Sequence, residues 1–125
     1  MEEELRVYHG TSFEKLQSIL IEGVRPPSFW SYKHQATLTY AGIEEMRGYG
    51  GAVISVRIRN HHWHDVDKQN FDFLPIDGTA DEAYYIMENN GIGIVCLDHI
   101  SPADLEVVYV AEPDERKSRR KFKHQ

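Results

Sequence analysis

Leu5-Arg6-Val7-Tyr8-His9-Gly10-Thr11-Ser12-Phe13-Glu14 is the stretch from which the rest of the chain can be read. Leu5-Arg6-Val7-Tyr8 alternates and is rich in β-formers, and Gly10 is expected to break the run. Thr11 to Glu14 fits a capping box, with Thr11 as N-cap and Glu14 as the reciprocal acceptor. The reading is a strand that runs straight into a helix. Phe13, Leu16, Ile19 and Leu20 follow at helical spacing, and Gly23 with Pro26-Pro27 supplies the stop, so the helix is about three turns long. A histidine ending a strand, followed by glycine and a helix, stands where side chains reach a ligand while the backbone comes close to it.

Working outward, residues 28–35 carry Phe29, Trp30 and Tyr32 without a clear period. They read as a loop whose aromatics either cap the core or line a site. Residues 36–39 read as a short strand, and residues 41–47 as a short helix with Ile43 and Met46 inward, ending at Gly48. The clearest strand is 52–58, with Ala52, Ile54, Val56 and Ile58 on one face and Ser55 and Arg57 on the other, which predicts half burial. A histidine-rich segment and a loop through Asp77-Gly78 follow. Thr79 and Glu82 then fit a second capping box, opening a helix through Glu88 that Asn89-Asn90-Gly91 ends. Residues 92–97 and 105–111 read as strands joined through His99-Ile100-Ser101-Pro102. The connections are too short for repeated crossover helices, so the expected class is α+β with a largely antiparallel sheet.

With 125 residues, 41% hydrophobic and 27% charged, the chain fits one domain over residues 1–112, followed by a basic tail at 113–125 expected to be disordered. Its apolar runs are far below the roughly 18 to 20 residues of a membrane span, and its acidic start is unlike a signal peptide. A soluble, cytoplasmic protein with no membrane partner is expected. Cys96 is the only cysteine, which excludes an internal disulfide and a cysteine-based zinc cage and suggests a small buried hydrophobe. Six of the 14 Lys and Arg lie at 116–123, leaving eight against 20 acidic residues, a net charge of -12 for the remainder. Such a body does not pre-concentrate nucleic acid, and the tail reads either as a nucleic-acid arm or as a solvated end that offsets the body.

Tyr8-His9-Gly10-Thr11-Ser12, followed by Leu16, Ile19-Leu20, Gly23 and Pro26, resembles the opening of ADP-ribosyltransferase and RNA 2′-phosphotransferase domains, which share one NAD-binding fold. The likeness continues more faintly in Ala36-Thr37-Leu38-Thr39 with the helix after it, and in residues 94–110 with the Ile-x-Pro turn at Ile100-Ser101-Pro102. What the resemblance implies is a split, largely antiparallel pair of sheets with about three short helices and NAD as co-substrate, bent into a cleft. It further implies ADP-ribose transfer to a protein or nucleic-acid acceptor with release of nicotinamide, in a protein of the toxin, phage or defence kind. His9 and Gly10 carry over at matched positions: the backbone of Gly10 offers the donor and acceptor that a carboxamide needs, and His9 faces the ribose hydroxyls. Thr11, Arg6, Thr39 and Tyr40 complete the implied cofactor site, with Arg6 on the pyrophosphate through its bidentate guanidinium. The alternative for Arg6 is a surface charge at a sheet edge. A non-catalytic NAD- or ADP-ribose-binding module and an RNA 2′-phosphotransferase-like activity are the alternative functions, the latter disfavoured by the acidic body.

Two positions depart from the family pattern. Thr37 stands where a stacking tyrosine is expected, so Tyr40, Tyr32 or Trp30 must supply the aromatic wall. The catalytic glutamate expected near the start of the strand at 93–97 is replaced by Gly93 or a neighbouring isoleucine. Glu82 ranks first as its substitute, ahead of Glu88, Asp77 and Asp81, although its capping-box position with Thr79 accounts for it equally well. His9 is the other candidate catalytic residue. His61-His62-Trp63-His64-Asp65 is the densest group of potential metal ligands, but a strand or a helix aligns only two of them. A closed site would need His34 or His99, so no metal site is assigned and a surface cluster is the reading preferred.

Overall fold

The computed structural model describes residues 5–31, 41–66, 72–76, 80–90 and 93–114. Strand β1 (Arg6–Ser12) leads directly into helix α1 (Phe13–Glu22), and β2 (Ser28–Trp30) follows. Helix α2 (Gly42–Met46), strand β3 (Gly51–Arg57), a 3-10 turn (Ile58–Asn60) and β4 (Trp63–Val66) come next. The chain continues with β5 (Phe73–Pro75), helix α3 (Ala80–Asn90), β6 (Ile94–Cys96), a second 3-10 turn (Pro102–Asp104) and β7 (Glu106–Ala111). The strands form two antiparallel sheets, β1-β3-β7 and β2-β6-β4-β5, so the α+β class holds. The closing strands β6 and β7 lie in different sheets, and the turn between them carries the chain across the core. Among the described residues no helix is long and apolar enough to cross a membrane.

The core lies between the sheets. Val7 of β1, Ala52, Ile54 and Val56 of β3, Trp30 of β2, Trp63 of β4, Ile94 and Cys96 of β6, Leu16 of α1 and Ala83 and Met87 of α3 meet there. The alternation read for residues 52–58 places the inward residues correctly. The half-burial expected of that strand does not hold, because both faces of β3 are covered. Val53 packs with Ala41, Tyr8 and Val108 in a second small cluster, and Ser55 is fully buried beneath the Arg6 side chain, whose Nε donates to its hydroxyl at 2.8 Å. Fully burying a Val, Ile or Leu side chain is worth about 1.5–3 kcal/mol, so this double-sided strand is the mechanical centre of its sheet. Cys96 is buried, and the loss of solvent around its thiol pushes its pKa up.

Three local expectations are corrected. Gly10 does not break β1: it pairs with Val53, and the strand runs on to Ser12. The N-cap is therefore Ser12, whose hydroxyl accepts from Lys15 N at 3.1 Å, while Thr11 is buried in the strand opposite Ala52. Glu14 thus falls one position short of the reciprocal site of a capping box and acts only through the helix dipole. In α2, Ile43 and Met46 are exposed, Met46 at 80%. The cause is that α2 meets the sheet through the backbone of Ala41, whose carbonyl occupies the space a side chain on Gly51 would need. Short strands β2, β4 and β5 occupy segments expected to be loop. The expected strand at 36–39 and the cap at Thr79 lie outside the described residues.

Gly23 ends α1 at φ +84, its N–H donating to Ile19 O at 2.8 Å, and a Cβ there would run into the carbonyl of Ile100. This close approach lets Val24 and Ile100 exchange both backbone hydrogen bonds, at 2.9 and 3.0 Å, and so pins the exit of α1 to the chain between β6 and β7. Gly23→Ala is expected to destabilise the fold by more than about 1 kcal/mol, because strain and overlap combine. Ile21→Ala, at a position 81% exposed, should stay within about 0.5 kcal/mol. Urea denaturation of the two variants against wild type checks both.

Candidate functional site at the parting of the two sheets

Among the described residues, backbone hydrogen bonds join the sheets at one point along β1. Tyr8 N donates to Ser31 O at 2.9 Å and Ser31 N donates to Tyr8 O at 2.8 Å. In an antiparallel ladder the backbone groups of successive residues point to opposite edges. Tyr8 directs its pair away from β3, and Gly10, two residues on, directs its N–H and C=O to that same edge. Continued antiparallel pairing would bring Gly10 opposite Phe29. The strands part before that register is reached, and the Phe29 carbonyl accepts instead from the His9 side chain, Nδ1 to O at 2.7 Å. A wedge therefore opens between β1 and β2, with the backbone edge of Gly10 on one wall and the His9 imidazole spanning its base.

His9 is held on two sides. Its ring lies 5.2 Å from that of Trp30 at an interplanar angle of 42°, and Trp30 is locked by the donation of its Nε1 to Ser28 Oγ at 2.8 Å. A carbonyl only accepts, so the Phe29 contact places the proton on Nδ1 and leaves Nε2 as an acceptor in the neutral ring. Burial drives the pKa of His9 below the ordinary imidazole value. The Phe29 carbonyl opposes that shift and Lys15 adds a smaller push in the same downward direction. The result is a neutral imidazole of defined tautomer.

The other described residues of the expected site are dispersed. Thr11 is buried on the core side of β1. Arg6 lies on the face of β1 opposite His9, bonded to Ser55 and paired with Glu106 at 3.2 Å, as a sheet-edge charge would be. Glu82 is exposed on α3, one residue from the buried Ala83. Thr39, Tyr40, Tyr32, Thr37, His34 and Asp77, and the side chains of Asp81 and Glu88, lie outside the described residues. Trp30, one candidate for the aromatic wall, is 1% exposed and backs His9 from inside the core. Gly93 adopts φ +127, and a Cβ there would meet the Trp30 carbonyl, so this position has no room for an acidic side chain.

The histidine-rich segment is split by the fold. His61 lies against Trp63 with its Nε2 3.9 Å from Asp104 Oδ2, His62 is exposed, His64 sits on β4, and His99 bonds the Glu22 carbonyl through Nε2 at 2.6 Å. Among the described residues no three His, Cys, Asp or Glu side chains gather as a metal site. The Phe29 carbonyl is the part of the site that sequence reasoning missed, and Trp30, named there for the aromatic wall, is instead the buried backing of His9. The aromatic pair at 29–30 was a signal for them, without a strand register to place it. Comparison with protein-family models, with curated proteins and with solved structures returned no match.

The pH dependence has a definite sign. A histidine whose folded pKa lies below its unfolded one near 6.5 contributes stability that is fully present above that unfolded value. The contribution is lost as pH falls below it toward the folded pKa, because the unfolded chain then binds the proton more readily. Wild type should therefore lose more stability than His9→Phe between about pH 7 and about pH 5. Parallel urea titrations across that range measure the difference, and equal slopes would show that His9 is not held neutral.

Proposed function

We propose that the wedge binds NAD and that the protein is an ADP-ribosyltransferase, transferring ADP-ribose to a macromolecular acceptor. The observation that carries this reading is the parting of β1 from β2 immediately beyond the Tyr8–Ser31 bridge. It sets a backbone donor and acceptor on Gly10 beside an imidazole whose Nε2 accepts. The nicotinamide carboxamide pairs with Gly10, and a ribose hydroxyl donates to His9 Nε2. In the transfer step the bond from ribose C1′ to the nicotinamide nitrogen breaks. Its electron pair leaves with nicotinamide, and an acceptor nucleophile bonds C1′ as its proton passes to a base. A neutral His9 drawing on the ribose hydroxyl supports the oxocarbenium-like transition state by enriching the ring in electron density.

A second reading, a non-catalytic NAD- or ADP-ribose-binding module, is favoured by Gly93. With the Trp30 carbonyl filling its side-chain space, the acid must come from elsewhere for transfer to occur. Calorimetry with NAD and a nicotinamide-release assay separate the two. Saturable binding in wild type, weakened at least about tenfold by His9→Ala, together with nicotinamide release supports the transferase. The same binding without release across protein and RNA acceptors selects the binding module. No binding in wild type ends both readings. Arg6→Ala should leave NAD affinity within about twofold while lowering stability by about 1 kcal/mol through its lost bond to Ser55.

A further inference from the structure

The face of the β2-β6-β4-β5 sheet turned away from the core carries a row of side chains that the wedge does not use. Phe29 pairs with Val95, Val95 with His64, and His64 with Pro75, so all four share one face. Phe73, two residues from Pro75 on β5, shares it too. The Phe29 and Phe73 rings meet edge-on over the intervening strands, with centroids 6.2 Å apart at 70°. Beneath them Val95 is fully buried although it belongs to neither core cluster. The Nδ1 of His64 is buried there without a hydrogen-bond partner. A buried polar atom left unpaired costs stability, and such atoms in folded proteins call for an explanation.

Aromatic walls, an apolar floor and a lone imidazole nitrogen make a selective combination. The rings favour a flat π-system, which stacks on or edges against phenyl groups. In the tautomer that carries its proton on Nε2 this nitrogen is an acceptor, and it then calls for an N–H directed in the plane of that π-system. Val95 and His64 Nδ1 are buried and Phe29 is 50% exposed, so a ligand that reaches the row must turn the Phe29 ring aside. We infer that this sheet face is a binding site for an amino-bearing heteroaromatic ring, a nucleobase of the adenine type, with His64 Nδ1 accepting from the exocyclic amine and Phe29 and Phe73 stacking on the base. The adenine end of a dinucleotide and a free adenosine nucleotide present the same chemistry.

The test uses the full chain with adenosine, which lacks nicotinamide, so its outcome is independent of the NAD reading at the wedge. Adenosine should bind saturably by calorimetry and perturb the His64 imidazole nitrogens in NMR spectra. Purine riboside, which lacks the amine, should bind about tenfold more weakly, the scale of one lost hydrogen bond. His64→Phe, which keeps a flat ring and removes the acceptor, should bring adenosine down to the affinity of purine riboside and leave the latter unchanged. If His64→Phe does not fold, Phe29→Ala, at a half-exposed position, should weaken both nucleosides alike. Competition between NAD and adenosine in wild type identifies the dinucleotide as the source of the base, and its absence identifies a separate nucleotide. Absent adenosine binding, or equal affinity for the two nucleosides in wild type, overturns the proposal.

Discussion

The two hydrogen bonds that Tyr8 and Ser31 exchange are the constraint on which the rest of the molecule depends. Among the described residues they are the backbone hydrogen bonds that tie the three-stranded sheet to the end of β2 in the four-stranded one. With them, β1 pairs with β3 along its whole length and exchanges backbone hydrogen bonds with Ser31, just past the end of β2. A single-residue junction fixes the two sheets against each other and still lets the strands diverge on the next step. The wedge follows from that divergence, because an antiparallel edge whose partner has turned away still presents its donors and acceptors at fixed spacing.

A series of rings extends from that junction into the core. His9 lies against Trp30, Trp30 meets Trp63 at 6.3 Å and 76°, and Trp63 meets His61 at 6.2 Å and 82°. Each tryptophan anchors its indole N–H, Trp30 on Ser28 Oγ and Trp63 on the Ile58 carbonyl at 2.6 Å. A buried indole with a satisfied N–H has few alternative positions in a close-packed interior. The orientation of His9 is thus set by the core as well as by the Phe29 carbonyl, and its neutral state is a consequence of how deeply the core carries it.

Much of the architecture was legible in the residues themselves. The alternation of Ala52, Ile54, Val56 and Ile58 identified the core side of β3, and Gly23 marked the end of α1. The helix at 80–90 and the closing strands were also visible as patterns. Where reading failed, the reason is physical. Gly10 looked like a break, but glycine in a strand weakens it without ending it, and pairing with Val53 outweighs that preference. Ile43 and Met46 looked inward because apolar spacing implies a contact face. A five-residue helix that leans on the sheet through a backbone carbonyl buries no such face. Three-residue strands such as Ser28–Trp30 are too short to show a period and exist only because a partner strand lies alongside.

By itself, the sequence determined that an extended segment with His9 and Gly10 runs into a capped helix, and that an acidic, single-cysteine chain forms an α+β domain. These follow from local preference and from periods of two and 3.6 residues, which neighbouring side chains encode. Only the tertiary structure decided that Ser12 rather than Thr11 caps α1, that Arg6 faces Glu106 across the sheet, and that the Phe29 carbonyl sets the tautomer of His9. Each of those is a contact between groups brought together by strand register, and a shift of one residue in register turns every side chain to the opposite face. The motif could say that a site begins at His9, but which groups surround it depended on where β1 leaves β2.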